Sequence, residues 1–198
     1  MVIAVVCYSL TKLEVGGVIM QYAIELYYDK EIEDQLFELA KRVTNEKIST
    51  KFLEWKTRPH LTLACLNDVD EAKCIEILKA FADNHKVMPA YIASIGMFND
   101  TKTIFASPIM NSSMYQFQRE LHEALKGFDM KGWEWYCPDR WVQHCTLALT
   151  REDNDEAFFK ASDLLLHEFR KMSGKFASIG LVKVTFPVKE IFTIELRD

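Results

Sequence analysis

Two short segments of this chain recur at one spacing. His60-Leu61-Thr62-Leu63-Ala64 returns as His144-Cys145-Thr146-Leu147-Ala148, 84 positions later, and Ala93-Ser94-Ile95-Gly96 returns at the same offset as Ala177-Ser178-Ile179-Gly180. A weaker pair, starting at Lys102 and Lys189, is offset by 87, which a small insertion accounts for. Two copies at this separation do not make a solenoid, which needs shorter periods and at least three repeats. They predict two related halves, about 20–101 and 102–198. No low-complexity stretch or flexible linker divides them, so 20–198 reads as a single domain.

Each half carries similar elements. Residues 21–29 alternate and are rich in Tyr and Ile, which predicts a strand. Residues 31–43 place Ile32, Leu36, Leu39 and Val43 on one helical face. Pro59 precedes the strand HLTLACL, a position that tolerates proline. A second helix is expected over 70–83 through Ala72, Ile75, Leu78 and Ala82, then strands near 89–98 and 102–109. The second half continues with a helix near 113–127, the strand HCTLALT, a helix near 154–172 and strands near 175–185 and 188–196. Helices mixed with hairpins at Asn99-Asp100 and Pro187 predict an α+β fold with antiparallel sheets, not a doubly wound parallel sheet.

Composition removes several classes. Hydrophobic residues are 49% and charged residues 27%, a globular balance far from disorder. A net charge of −5 argues against a protein that coats nucleic acid through bulk charge, while leaving room for a local phosphate site. No apolar run is long enough to span a bilayer. The five cysteines, odd in number and without CxxC spacing, read as reduced thiols of a cytoplasmic protein. Residues 1–19 have two readings. Met20 opens the first convincing strand, and the codons of Gly16-Gly17 can spell a ribosome-binding site just upstream, making 1–19 a translated leader. The alternative is an extra N-terminal strand. A basic region is lacking, so a secretory signal is not expected.

The chemistry lies in the paired segments. Residues i and i+2 of a strand share a face about 6.6 Å apart, so His60 and Thr62 point one way and Leu61 and Leu63 the other. His144 and Thr146 repeat the arrangement. If a pseudo-twofold axis relates the halves, two imidazoles and two hydroxyls meet across a cleft. One neutral imidazole can take a proton from an attacking oxygen and the other, as imidazolium, can protonate the departing one. Threonine hydroxyls can hold the non-bridging phosphoryl oxygens without adding negative charge. A lone His-x-Thr on a strand carries little information; the coupled pair carries the inference. His85, His122 and His167 lack that context and are expected at the surface.

Paired His-x-Thr motifs, one per half, resemble the 2H phosphoesterases, the group of 2'-5' RNA ligases and 2',3'-cyclic nucleotide phosphodiesterases. The resemblance spans roughly residues 20–196. One departure is visible: the usual proline before each histidine is present as Pro59 but is Gln143 in the second motif. The resemblance implies a two-lobed fold with antiparallel sheets flanking a central cleft and helices outside. It also implies metal-independent cleavage of a cyclic or 2'-linked phosphodiester with no cofactor. His60 and His144 take the catalytic roles, Thr62 and Thr146 the phosphate-binding roles. RNA ends or cyclic and 2'-linked nucleotides are the expected substrates, and a monomer is expected.

Further substrate contacts are weaker. Lys56 and Arg140 stand four residues before their histidines, and Arg58 two, with strand parity that would put all three on the catalytic side. Solvated charges flanking a strand are the competing reading. Of the aromatics Trp55, Phe98, Trp133, Trp135, Tyr136 and Trp141, Phe98 and Trp141 are the favoured base-stacking candidates. Two other functional classes stand against a phosphodiesterase that opens 2',3'-cyclic phosphates. These are 2'-5' RNA ligation in the same cleft and a nucleotide- or RNA-binding module without turnover. A metal-dependent hydrolase lacks a HExxH or carboxylate-rich ligand set.

Overall fold

The computed structural model describes residues 21–150 and 154–198, so both readings of 1–19 lie outside the described residues. In chain order the elements are β1 (Tyr22–Tyr28), α1 (Lys30–Asn45), α2 (Lys51–Trp55), β2 (His60–Leu66), α3 (Glu71–Asp83), β3 (Met88–Phe98), β4 (Thr103–Pro108), α4 (Ser112–Ala124), β5 (Cys145–Leu149), α5 (Asp155–Glu168), β6 (Met172–Lys183) and β7 (Lys189–Glu195). The strands form one seven-stranded sheet in the order β2-β1-β6-β3-β4-β5, with β7 also paired to β6. Every strand pair is antiparallel.

The pairing register carries the repeat into three dimensions. β3 and β6 pair from Met88↔Phe176 to Ile92↔Met172, with Ala90 opposite Gly174 at the centre. Ala90 and Gly174 are 84 positions apart, so each is the other's repeat equivalent and the pseudo-twofold axis runs between them. Gly174 is required there, because a Cβ would lie 2.4 Å from Asp29 Oδ2. That carboxylate accepts the Lys175 N–H at 2.6 Å through Oδ2 and caps α1 through Oδ1, which accepts from Ile32 N at 3.1 Å. One aspartate therefore ties the start of α1 to the strand at the symmetry centre.

The two ends of the strand path, β2 and β5, come within 8 Å of each other between Cα atoms. Six strands in a flat sheet would hold their edges about 24 Å apart. The sheet is bent until its outer strands face one another, and those strands carry the two His-x-Thr motifs.

Helix faces follow the sequence pattern with one exception. α1 buries Ile32, Leu36, Leu39 and Val43 as the periodicity predicts. α3 buries Cys74, Leu78, Phe81 and Ala82, with Ile75 partly buried against the core, whereas Ala72 is exposed. Phe81 is stacked on His85 and edge-on to Phe117 of α4. The long helix expected over 154–172 ends at Glu168, and β6 begins at Met172. The one-turn α2 was not legible from periodicity, since five residues are too few to show it. Among the described residues, no helix is long and apolar enough to cross a membrane.

Candidate active site

A cleft with about 600 Å³ of empty space, counting its open mouth, contains all four motif side chains: His60 and Thr62 from β2, His144 and Thr146 from the start of β5. Matching irregularities aim them. β1 pairs with β2 through Ile24↔Ala64 and then Glu25↔Thr62, leaving Leu63 as the extra residue. β4 pairs with β5 through Ile104↔Ala148 and then Phe105↔Thr146, leaving Leu147 extra. Bulges of this kind bend a strand and re-aim its side chains. The repeated Leu of HLTLA and HCTLA is thus the bulge residue in each lobe.

The second repeated segment explains itself here. Gly96, the last residue of Ala93–Gly96, pairs with Phe105, and a Cβ on it would lie 2.4 Å from the Phe105 ring. Its equivalent Gly180 would place a Cβ 2.7 Å from the Tyr27 ring. Each glycine leaves room for an aromatic ring beside one motif histidine. Phe105 stands edge-on to His144 with ring centroids 5.5 Å apart, and Tyr27 is the strand partner of His60.

Both imidazoles are held the same way. His60 Nδ1 lies 2.6 Å from the Arg58 carbonyl and His144 Nδ1 lies 2.7 Å from the Val142 carbonyl. A carbonyl oxygen only accepts, so each Nδ1 carries the proton and each Nε2 is the titrating nitrogen. Their surroundings then differ. His144 is packed among Phe98, Phe105 and Tyr136, with centroid distances of 5.0, 5.5 and 6.3 Å. Loss of solvation pushes its pKa down to about 4, and the nearby His60 charge pushes the same way, against the opposing pull of the Val142 carbonyl. The residue as a whole is half-buried and lines the cleft. His60 instead has the Glu25 carboxylate 3.3 Å from Nε2.

The flanking candidates divide. Lys56 has a left-handed backbone, φ 52°, as the C-terminal cap of α2. Strand parity therefore does not extend back from His60, and Lys56 lines a separate depression with Phe37, Leu53 and Pro59. Arg58 also faces away from the cleft. Its guanidinium pairs with Glu33 at 2.8 Å, approaches Glu190 at 3.5 Å and lies 4.1 Å over the Tyr27 ring. Arg140 is exposed in a turn before Trp141, again outside any strand. These three cations do not join the cleft lining.

Trp141 is also no stacking platform: it is buried, and its Nε1–H donates to the Thr62 carbonyl at 2.9 Å. Phe98 does stand beside His144. The cleft's aromatic lining comes from Trp55, Phe52 and Tyr136. Trp133 is buried, with its Nε1–H on Asn67 at 2.8 Å.

Two supposed surface histidines have inside roles. His122 Nε2 lies 3.0 Å from the Leu63 carbonyl, and burial lowers its pKa. His85 stacks on Phe81 and pairs with Glu120 at 2.8 Å. His167 is exposed on α5, as expected.

β2 is an edge strand whose free carbonyls are thus met by side chains of the other half: Trp141 on Thr62, His122 and Gln118 on Leu63. Trp141→Phe removes one of these donors and strands a buried carbonyl, a loss of about 1–3 kcal/mol. Urea unfolding of the variant against the native protein measures it.

Sequence reasoning missed Glu25. The signal was present: a single carboxylate inside the apolar run AIELYY. A buried charged residue is the informative exception in a strand of that kind.

A family profile described as the 2'-5' RNA ligase superfamily matches residues 32–184. The chain belongs to this superfamily. Among solved structures, E. coli LigT complexed with NADP+ is 14% identical over 91% of this chain and 99% of its own, with a TM-score of 0.56. LigT complexed with 3'-AMP is 12% identical with the same coverage and a TM-score of 0.58. TT0787 of Thermus thermophilus is 17% identical over 90% of this chain and 98% of its own, with a TM-score of 0.54. At these identities the likeness establishes the two-lobed fold that this 2'-5' RNA ligase superfamily member shares with them. No curated protein sequence matches the chain.

Proposed function

We propose that this cleft opens 2',3'-cyclic phosphates of RNA ends or small nucleotides without a metal, by acid–base catalysis between His144 and His60. The observation that carries the reading is the convergence of both imidazoles and both threonine hydroxyls on one cleft, each imidazole presenting Nε2 because Nδ1 is fixed on a carbonyl. His144, held neutral by its aromatic surroundings, takes a proton from the attacking water. His60 protonates the ribose oxygen as its bond to phosphorus breaks. Thr62 and Thr146 donate to the non-bridging oxygens. Phe98 beside His144, and Trp55 at the cleft wall, offer ring faces to a base. The LigT complexes with 3'-AMP and NADP+ agree with a nucleotide ligand for this fold.

A panel of 2',3'-cyclic nucleotides, a 2'-5' dinucleotide and tRNA half-molecules, each with and without EDTA, tests the proposal. Opening of the cyclic substrates, undiminished by EDTA, is expected. Joining of tRNA halves without cyclic phosphate opening would favour ligation instead. Tight nucleotide binding with no turnover on any member would mark a binding module.

The pH dependence follows from His144. Acting as base, it must be neutral, and its folded pKa is lowered to about 4, so kcat/KM is retained as pH falls below the ordinary histidine value and lost only toward pH 4. An acid limb near about 6.5, the value of an unperturbed imidazole, would contradict the assignment of His144 as base.

A further inference from the structure

The two lobes match in bulge and glycine, yet differ in the strand beside each motif threonine. The residue paired with the motif threonine is Glu25 on β1 and Phe105 on β4. Glu25 is 5% exposed and lines the cleft. Its Oε2 accepts the Tyr27 hydroxyl at 2.8 Å, and its Oε1 lies 3.3 Å from His60 Nε2. Because His60 Nδ1–H is already committed to the Arg58 carbonyl, a neutral ring would turn a lone pair on Nε2 toward a carboxylate oxygen. That contact is favourable only when one proton lies between the two atoms. Among the described residues no carboxylate pairs with His144; the rings of Phe98, Phe105 and Tyr136 stand around it instead.

We propose that Glu25 is a positioning residue that keeps on His60 Nε2 the proton delivered to the leaving oxygen, and thereby fixes the direction of proton flow through the cleft. This rests on the phosphodiesterase reading above. In the forward step a water oxygen bonds to phosphorus and its proton passes to His144 Nε2. The bond from phosphorus to the ribose oxygen breaks with its electron pair on oxygen, and that oxygen takes the His60 proton. His144 then releases its proton to solvent and the His60–Glu25 pair takes one up, so the cycle adds one water and nothing else.

The groups around Glu25 pull both ways. Burial raises its pKa, and Glu190 on β7 adds to that; His60 on β2, the Tyr27 hydroxyl on its own strand and Arg58 oppose it. Arg58 is itself held by Glu33 of α1. The Cys145 thiol, on the facing strand, is buried with its pKa pushed up to about 12 and stays neutral. His60 is thus the one titrating group that touches Oε1 directly among the described residues.

The test is Glu25→Gln, which keeps shape and the Tyr27 contact but removes the charge. It is assayed on a 2',3'-cyclic nucleotide and on a nucleoside 4-nitrophenyl phosphodiester, whose nitrophenolate leaves without a proton. On the cyclic substrate kcat should fall roughly 10–100-fold, a share of the 10²–10⁴ associated with a general acid, with KM little changed and the alkaline limb moved to lower pH. On the aryl substrate the loss should shrink to a few-fold, and Glu25→Asp should recover part of the cyclic activity. Wild-type rates and pH profile on the cyclic substrate would overturn the proposal. So would equal losses on both substrates, which would mark a structural role.

Nitrogen NMR of the imidazoles in the native protein tests the same point without a variant. It should find the proton on His60 Nε2 at neutral pH and a bare Nε2 on His144; an unprotonated Nε2 on His60 would overturn it. If His60→Ala and His144→Ala retain full activity, the phosphodiesterase reading fails. If both are dead and Glu25→Gln is untouched, only the role of Glu25 fails.

Discussion

His60→Ala and His144→Ala are each expected to lower kcat/KM for a cyclic phosphate on the order of 10³-fold, within the 10²–10⁴ range of a positioned acid or base. The double variant should be little worse than the poorer single. The two imidazoles line one cleft, and the lowering of the His144 pKa by the His60 charge places them in electrostatic reach of each other. Groups that serve one proton transfer give strongly non-additive losses, because removing either already disables the concerted step. Two independent sites would leave each single variant with about half the activity, and only the double would be dead. Melting curves belong beside the kinetics, since an unfolded variant imitates the first pattern.

Thr62→Val and Thr146→Val are the second large effect. Valine keeps the branched shape of each strand position and removes only the hydroxyl. Loss of a preorganised donor to a phosphoryl oxygen costs roughly 10²–10³ in kcat. Thr62 is 8% exposed and Thr146 more open to the cleft. Serine at either position should restore much of the rate by returning the donor. Valine variants as active as the native protein would reduce both threonines to strand formers.

The parts of this molecule legible in the sequence are those set by short-range pattern and by repetition. The 84-residue offset pointed to two related halves, and strand parity put His60 beside Thr62 and His144 beside Thr146, the four side chains that line the cleft. Parity failed where the strand itself ended. Lys56 sits in a left-handed turn and Arg140 in another turn, so counting back from the histidine misplaced them. Trp141 was misread because a Trp that bonds a neighbouring strand's carbonyl looks, in one dimension, like one open to a ligand. The difference between the lobes was hidden for another reason. Glu25 and Phe105 become equivalent only after β1 is matched to β4 through their pairing with β2 and β5, a correspondence with no shared motif in the sequence.

The same tertiary pairing makes the site chemically unequal. Matched bulges and matched glycines build two similar frames, and one residue in each frame decides whether the imidazole meets a carboxylate or a ring. On the proposed proton path, the asymmetry comes from the strand next to each motif rather than from the motif itself.

The most direct test of the central claim is opening of 2',3'-cyclic AMP in ¹⁸O-water containing EDTA, followed by mass spectrometry of the monoester after a single turnover. The account predicts full activity and one ¹⁸O atom in each product phosphate, from water deprotonated by His144. No opening, or opening abolished by EDTA and restored by added metal, would contradict it.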